Sequence, residues 1–280
     1  MIFSTFKEFK TNYKKKKISQ IYAIKNKPKL DTIEKIVELV SLNKDSFIFE
    51  SVEKVKIRGR YTIFGFNPDL VIETKNNCII QNINNKKIIV KKNPYDYLNK
   101  LINNFNFKTS KKLPMMSAML AGYFGYDIIR FKEKIPNNCK EDLKIPDVKL
   151  IRPQLIIIHD NEKNKIFFVQ NIYNLKNIKN LKNLYLLKCD EINKFIAKIN
   201  NTYNSTEYLN KNKKKNKIIS NVTKNSFLNS ISKAKELINN GEIFQVVLSQ
   251  RFETILNKTP INFYKKLRIL NPSPFMFFFN

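Results

Sequence analysis

The chain has 280 residues, 42% of them hydrophobic, so it can bury a substantial core in one large or two ordinary domains, which excludes a disordered or fibrous protein. Its formal net charge of +29 comes from 52 Lys and Arg residues, almost all Lys, spread along the whole chain among abundant Asn and Ile. Such dispersed cations indicate a basic solvated surface, and we expect no nucleic-acid partner because a nucleic-acid site needs clustered cations.

The first part of the chain predicts one helix followed by a series of strands. Apolar residues recur at helical spacing over residues 31–42, where Asp31 or Thr32 can serve as the N-cap. Residues 46–52 alternate as a strand does, with Glu50 on one face and its aromatic neighbours on the other. An antiparallel meander is predicted from β-rich runs separated by turn-forming clusters, at residues 61–66, 70–74, 78–83 and 87–90.

The middle of the chain predicts a helix, a strand that contains glycine, and a hairpin. Helical periodicity resumes over residues 94–105. Gly122 and Gly125 lie in an apolar stretch, where glycine usually means a close backbone approach or a bulge. The runs 155–158 and 166–169 flank a polar loop and form a predicted hairpin.

A stretch rich in Asn, Lys and Leu separates two predicted domains. It contains a predicted helix at residues 181–200 and then a solvated linker at residues 205–218. We therefore place an N-terminal domain at residues 1–204 and the start of a second domain at residues 219–280.

The second predicted domain opens with a helix and a strand. Residues 224–240 have helical spacing, and Gly241 supplies a left-handed residue that closes such a helix. Residues 242–254 then alternate between a core face and a face that mixes apolar and polar groups as a pocket wall does. The core face has Phe244, Val246, Leu248 and Phe252, and the mixed face includes Gln245, Ser249 and Arg251.

A short helix and an apolar strand end the sequence. Thr259 and Pro260 form an N-cap and first-turn pair, and the helix that they open ends before Pro272. Residues 275–279 form a strand with no partner after it, so we expect a fold that is incomplete at the C-terminus. The irregular order of strands and helices predicts an α+β fold of packed antiparallel β-sheets with flanking helices.

Cysteine usage and the N-terminus indicate a cytoplasmic protein. Cys78, Cys139 and Cys189 are odd in number, far apart and without metal-ligand spacing, which fits a reducing compartment. Residues 1–20 have no apolar run long enough for a signal peptide or a membrane span, so we expect no membrane partner.

Several distinctive strings occur along the chain. Those of the N-terminal region are FESVE at 49–53, RGRYTIFG at 58–65, GYFGYD at 122–127, IPD at 145–147 and RPQ at 152–154. Those of the C-terminal region are GEIFQVVLSQRF at 241–252 and LRILNPSPFMF at 267–277. Together these strings resemble anthranilate synthase component I, a member of the chorismate-utilising enzymes. The resemblance identifies residues 1–204 as the family's regulatory domain and residues 219–280 as the start of its chorismate-binding catalytic domain.

The resemblance implies a reaction in tryptophan biosynthesis. Chorismate and ammonia give anthranilate and pyruvate with the help of Mg²⁺, and the ammonia comes from glutamine through a partner glutamine amidotransferase subunit. The family's metal ligands and catalytic histidine are expected beyond residue 280. No metal ligand is therefore assigned in this chain, and the 280 residues alone are expected to be inactive.

The resemblance also implies site residues. Gln245 takes the position that, in water-using relatives, resembles a lysine acting as the base for water. A glutamine amide cannot accept a proton from water, so Gln245 favours ammonia as the nucleophile. The feedback site for L-tryptophan is implied at Glu50, Ser51, Asn271, Pro274, Met276 and Phe277. An ammonium group needs oxygen acceptors and an indole needs an apolar slot, which these residue types supply.

Other interpretations remain open on the sequence. The large subunit of aminodeoxychorismate synthase shares the expected fold and the use of ammonia. A non-catalytic module that binds tryptophan is an alternative from another class. Glu50 can also be an ordinary solvated strand residue, with residues 275–279 an ordinary core strand.

Overall fold

The computed structural model describes most of the chain. The described residues are 2–14, 20–29, 31–51, 59–75, 78–83, 86–105, 107–138, 143–173, 178, 180–201 and 217–280. Arg58, Cys139 and nearly all of the predicted linker lie outside them. The chain divides into two compact units, residues 1–205 with 264–280 and residues 206–263.

The strands are β1 (Ile2–Phe3), β2 (Gln20–Asn26), β3 (Phe47–Glu50), β4 (Tyr61–Lys75), β5 (Cys78–Ile83), β6 (Lys86–Val90), β7 (Ala121–Phe124), β8 (Val148–Asp160), β9 (Lys165–Asn171), β10 (Ile219–Ser220), β11 (Phe252–Glu253) and β12 (Met276–Phe279). The helices are α1 (Phe6–Lys14), α2 (Asp31–Leu42), α3 (Pro94–Asn104), α4 (Leu181–Asn201), α5 (Lys224–Asn239) and α6 (Pro260–Leu270). Short 3₁₀ turns span Met115–Ser117 and Tyr126–Phe131.

An antiparallel sheet organises the first unit. Its described part has ten strands, in the order β1-β2-β9-β8-β4-β3-β12, with β5 on β4, β6 on β5 and β7 on β8. The long strands β4 and β8 pair along most of their length and join the two ends of the sheet. A sheet with helices outside it confirms the predicted α+β fold.

The first unit has two buried clusters. One gathers around Phe47, Ile63 and Val169 in the region where β3, β4, β8 and β9 lie side by side. The other gathers around Ile72, Ile79 and Leu98, where α3 packs on the opposite end of β4. The apolar runs of the predicted strands supply both clusters, because alternate side chains of a strand share a face.

The predicted turn at residues 67–69 is wrong, because β4 runs through it. The register between β4 and β8 shifts between Pro68 and Leu70, which marks a β-bulge. Asn67 has φ +50°, and the next strand supplies Arg152, which donates from Nε and Nη2 to the carboxylate of Asp69 at 2.8 and 2.7 Å. A bulge accepts a proline that cannot donate to the ladder, so the strand bends instead of ending.

Local signals set the predicted helix boundaries. The helix predicted at residues 31–42 is α2, and α5 begins at Lys224 after the N-cap Thr223, whose side chain accepts from the backbone N–H of Ser226. Gly241 follows α5 with φ +74°, as a left-handed closing residue requires. Among the described residues, no helix combines the length and the apolar character needed to cross a membrane.

The strand predicted at residues 242–254 is mostly wrong. Only Phe252–Glu253 forms a strand, paired with β10. Phe244, assigned to the core face, is fully exposed, and Val246 and Leu248 are also exposed. Alternation describes a strand only where a neighbouring strand accepts its hydrogen bonds, and in the described structure that neighbour is present at residues 252–253 alone.

Candidate ligand-binding site

Two segments far apart in sequence form one antiparallel ladder in the first unit. Strand β12 pairs with β3 so that Met276 lies opposite Glu50 and Phe277 lies opposite Phe49. Residues directly opposite each other in an antiparallel pair share a face of the sheet. The ladder therefore brings the early acidic strand beside the segment that follows the prolines near the end of the sequence.

Asn280 fixes the far end of this ladder. Its backbone N–H donates to the carbonyl of Ser46 at 3.0 Å. Its side-chain Nδ2 donates at 2.9–3.0 Å to carbonyls at the end of α2, those of Val40, Ser41 and Asn43. The last carbonyls of a helix need such donors, so one side chain closes α2 and holds β12 in register.

One face of the ladder is aromatic. Phe47 and Phe49 have ring centroids 4.5 Å apart, and Phe279 lies 5.9 Å from Phe47 and 5.5 Å from Phe49. Phe277 continues the row at 6.1 Å from Phe279. Aromatic rings at these separations attract one another, so this face is an apolar wall, which we call the aromatic wall.

A cavity of about 800 Å³ opens beside this wall, and we call it the ladder cavity. Its lining is predominantly apolar with a few polar groups, as is typical of a site for a small organic molecule. The lining residues are Phe49, Glu50, Ser51, Arg60, Tyr61, Ile63, Met116, Pro274, Phe275, Met276 and Phe277.

Arg60 provides a cation in the lining of the ladder cavity. Its guanidinium donates from Nε and Nη2 to the carboxylate of Asp160 at 3.1 and 2.8 Å and lies 4.8 Å from the ring centroid of Tyr61. The hydrogen bond with Asp160 raises the pKa of Arg60, and Arg60 lowers the pKa of Asp160 against the opposing effect of burial. The arginine is therefore held in one orientation at the cavity wall.

The Glu50 carboxylate has partners on the other face of the ladder. Tyr264 of α6 donates its hydroxyl to Glu50 at 2.6 Å, and Arg268 donates to it at 3.2 Å. Arg268 also donates to Glu34 of α2 at 2.7 Å. Burial and the neighbouring Glu50 raise the pKa of Tyr264 well above its usual value, so this hydroxyl stays a donor at neutral pH.

The family model of chorismate binding enzymes matches residues 44–280, which include β3, β12 and every residue of the ladder cavity. The chain belongs to the chorismate binding enzyme family. Anthranilate synthase component 1 of Acetivibrio thermocellus is 36% identical over 238 residues, covering 83% of this chain and 48% of that protein. The protein of the same name from Cereibacter sphaeroides is 29% identical over 287 residues, covering 99% of this chain and 56% of that one.

Comparison with a solved structure confirms the fold. Anthranilate synthase component I from Streptococcus pneumoniae TIGR4 matches with a TM-score of 0.61 at 24% identity, over 79% of this chain and 48% of that one. The predicted resemblance to anthranilate synthase component I is thus confirmed. The chain spans about half the length of the relatives that it matches.

Most of the predicted effector residues of this chorismate binding enzyme come together. The ladder cavity is lined by Glu50, Ser51, Pro274, Met276 and Phe277. Their assignment to tryptophan binding stays a prediction.

The remaining two predicted site residues lie elsewhere. Asn271 is not among the lining residues: it is exposed, and its N–H donates to Leu267 at the end of α6. Gln245 belongs to the second unit and is exposed.

Arg60, Tyr61 and Met116 line the cavity without having been predicted. Arg60 and Tyr61 belong to the family string at residues 58–65, and that string is the signal that could have found them. Met116 lies in a 3₁₀ turn with no family string of its own. Only the folded chain brings it to the cavity.

Proposed function

We propose that this protein is the large subunit of an anthranilate synthase, which converts chorismate and ammonia to anthranilate and pyruvate in tryptophan biosynthesis. The observation that carries the proposal is the 36% identity to anthranilate synthase component 1 of Acetivibrio thermocellus across 83% of the chain. We expect the protein to work in the cytoplasm, as its cysteine usage indicates.

The proposal includes a partner and a metal ion. The name component 1, carried by the relatives, supports a second component, and we propose that it is a glutamine amidotransferase that delivers ammonia. We propose Mg²⁺ as the cofactor of the complete enzyme. The described residues contain no group of three or more His, Cys, Asp or Glu side chains that could hold a metal ion, and we propose no Mg²⁺ ligand among them.

The anthranilate synthase activity is tested on the purified product of the whole gene. Chorismate, MgCl₂ and ammonium are added, and the product is identified by chromatography and by the fluorescence of anthranilate. Anthranilate formation supports the proposal, whereas 4-amino-4-deoxychorismate would assign the runner-up activity. No consumption of chorismate, with or without a glutamine amidotransferase, would exclude both. The polypeptide of residues 1–280, assayed separately, is expected to form no anthranilate.

Gln245 is proposed to favour ammonia over water as the nucleophile. Gln245→Lys should lower anthranilate formation and give a hydroxylated product, because a lysine can accept a proton from water. The neighbouring exposed Gln250→Lys is the matched control for the added charge. Equal product profiles for the two variants would remove Gln245 from the mechanism.

We propose further that L-tryptophan binds in the ladder cavity and inhibits the enzyme. The aromatic wall suits an indole, Ser51 offers a hydroxyl, and Arg60 offers a guanidinium to the carboxylate. The Glu50 carboxylate accepts one hydrogen bond from Tyr264 and one from Arg268, which leaves acceptor sites on it for the ammonium group, and the Ser51 hydroxyl and backbone carbonyls offer further acceptors.

Ser51→Ala tests this effector site. Losing one hydrogen bond should raise the tryptophan concentration for half-inhibition by roughly fivefold. Ser230→Ala, an exposed helix position, is the control, and the activity without tryptophan is recorded for each variant. Identical inhibition curves for both variants and the wild type would place the effector elsewhere.

A further inference from the structure

The ladder cavity has a wall that comes from the loop between α3 and β7. Met116 lines the cavity and packs against the buried cluster around Phe47 and Ile63. Its neighbour Met115 is 90% exposed. Two identical side chains in sequence thus occupy opposite environments, and the backbone of this turn decides which of them faces the cavity.

A buried pair of amides holds that turn. Gln20 and Asn171 lie opposite each other in the β2–β9 ladder, and both are almost completely buried. Gln20 Nε2 donates to Ser117 O at 3.2 Å, and Asn171 Nδ2 donates to the same oxygen at 2.9 Å. Two donors on one carbonyl fix the residue directly after Met116.

The same pair also holds Ser110, earlier in this loop. The backbone N–H of Ser110 donates to Gln20 Oε1 at 3.0 Å, and Gln20 Nε2 donates to Asn171 Oδ1 at 2.9 Å. Reversing either amide would set donor against donor and acceptor against acceptor, so the arrangement has one orientation. Buried polar groups satisfied in this way specify one backbone position, because any other position leaves them unpaired.

We propose that Met116 is a specificity-determining residue of the ladder cavity and that the Gln20–Asn171 pair is its positioning device. The proposal rests on the proposed binding of tryptophan in this cavity. Met116 lines the same cavity as Phe49 and Phe277 of the aromatic wall, so a flat ring bound there can contact a flexible, polarisable thioether. The length of this side chain therefore sets how large a ring substituent the cavity accepts.

Calorimetric titration of the protein as its gene encodes it tests the role of Met116, with L-tryptophan and 5-methyl-L-tryptophan as probes. Met116→Ala should weaken tryptophan about tenfold and 5-methyltryptophan by a smaller factor, because the shorter side chain leaves room for the methyl group. Met116→Trp should weaken both ligands still more, by filling the space. Met115→Ala is the matched control and should leave both affinities unchanged.

The positioning role is tested with Asn171→Ala in two backgrounds. In the wild-type background this change should alter the ratio of the two affinities, and in the Met116→Ala background it should not, because the displaced side chain is already gone. A merely structural role would weaken both ligands alike in both backgrounds. If Asn171→Ala does not fold, Gln20→Glu, which keeps the acceptor for Ser110 N–H, takes its place.

The outcomes separate this proposal from the proposed function. Wild-type protein that binds tryptophan while Met116→Ala behaves as Met115→Ala does would overturn the role of Met116 alone. Wild-type protein that forms anthranilate but binds no tryptophan would overturn the effector cavity and this inference together, and leave the activity standing. A changed affinity ratio in Met116→Ala, with its melting temperature retained, supports the inference.

Discussion

Glu50 is a buried carboxylate in the strand that lines the ladder cavity. Its two oxygens are shared between Tyr264 and Arg268, so that the charge is compensated inside the first unit. Burial opposes the charge of Arg268, but Glu34 and Glu50 together raise its pKa. A buried charge is tolerated when its partners are in place, and each partner depends on the others.

Removing the Glu50 side chain should therefore destabilise the protein more than removing an exposed carboxylate does. Glu50→Ala leaves Tyr264 without its acceptor and Arg268 with Glu34 alone, and we expect the free energy of unfolding to fall by roughly 2–3 kcal/mol. Asp190→Ala, which breaks an exposed helical ion pair with Lys194, should change it by less than about 0.5 kcal/mol. Urea unfolding measures both, and equal effects would show that Glu50 is not a structural charge.

His159 gives the protein a pH-dependent stability. It is half-buried in β8, and burial lowers its pKa below the usual 6.5, against the opposing effect of Asp160. Below pH 6.5 the unfolded chain therefore binds a proton more readily than the folded chain. The stability that the neutral imidazole contributes is present above pH 6.5 and is lost as the pH falls.

His159→Gln should remove this part of the pH dependence. We expect the drop in melting temperature between pH of about 7.5 and about 5.5 to be smaller in the variant than in the wild type. Asp160 acts on the pKa of His159, so the difference reports the histidine together with its interaction with this carboxylate. The same drop in both would mean that His159 is protonated equally easily in the folded and unfolded chains.

The pairing of β3 with β4 depends on a glycine that carries no special backbone conformation. Gly65 lies opposite Phe47, and a Cβ at Gly65 would stand 2.0 Å from Cε1 of the Phe47 ring. The ring occupies the place of the missing side chain and then stacks with Phe49 and Phe279. Thus Gly65 positions the aromatic wall of the ladder cavity.

Gly65→Ala should destabilise the protein by about 2 kcal/mol through this overlap, and Phe47→Leu should relieve part of the cost. Gly241→Ala is the matched control: it has φ +74° and no neighbour within 4 Å, so its cost of about 1 kcal/mol is conformational. Phe47→Leu should leave that cost unchanged. The unfolding free energies of the single and double variants test this overlap. If the effects of Gly65→Ala and Phe47→Leu are fully additive, the overlap between the two side chains is contradicted.

At the scale of the whole molecule, the charge of +29 acts on every folded arrangement. Like charges repel more strongly in a compact chain than in an extended one, and salt screens that repulsion. Ion pairs such as Arg60 with Asp160 are weakened by salt as well, but pairing leaves the net positive charge uncompensated. The repulsion should therefore determine the sign of the salt effect.

We expect the melting temperature to rise by a few degrees between about 50 and about 500 mM NaCl. KCl at the same ionic strength is the control, because screening depends on ionic strength and not on the cation. A melting temperature that falls with salt would show that the ion pairs outweigh the repulsion.

Much of the architecture follows from short-range patterns. Helical spacing and cap residues are local features, so α2 and the glycine that closes α5 can be predicted from the sequence alone. The family strings are also local, and two of them include residues of β3 and of β12. The turn predicted at residues 67–69 is part of a strand, because pairing with β8 outweighs the local turn signal. The strand predicted at residues 242–254 forms only at residues 252–253, because alternation makes no strand without a pairing partner.

The shape of the ladder cavity depends on contacts between residues far apart in sequence. The aromatic wall needs β12 in register with β3, and Met116 reaches the cavity because Gln20 and Asn171 hold its turn. The partners of Glu50 come from α6, so its carboxylate is an internal ion-pair member and not a solvated strand residue. Such contacts form only when the chain closes, since no local pattern specifies which distant groups will satisfy a buried donor or charge.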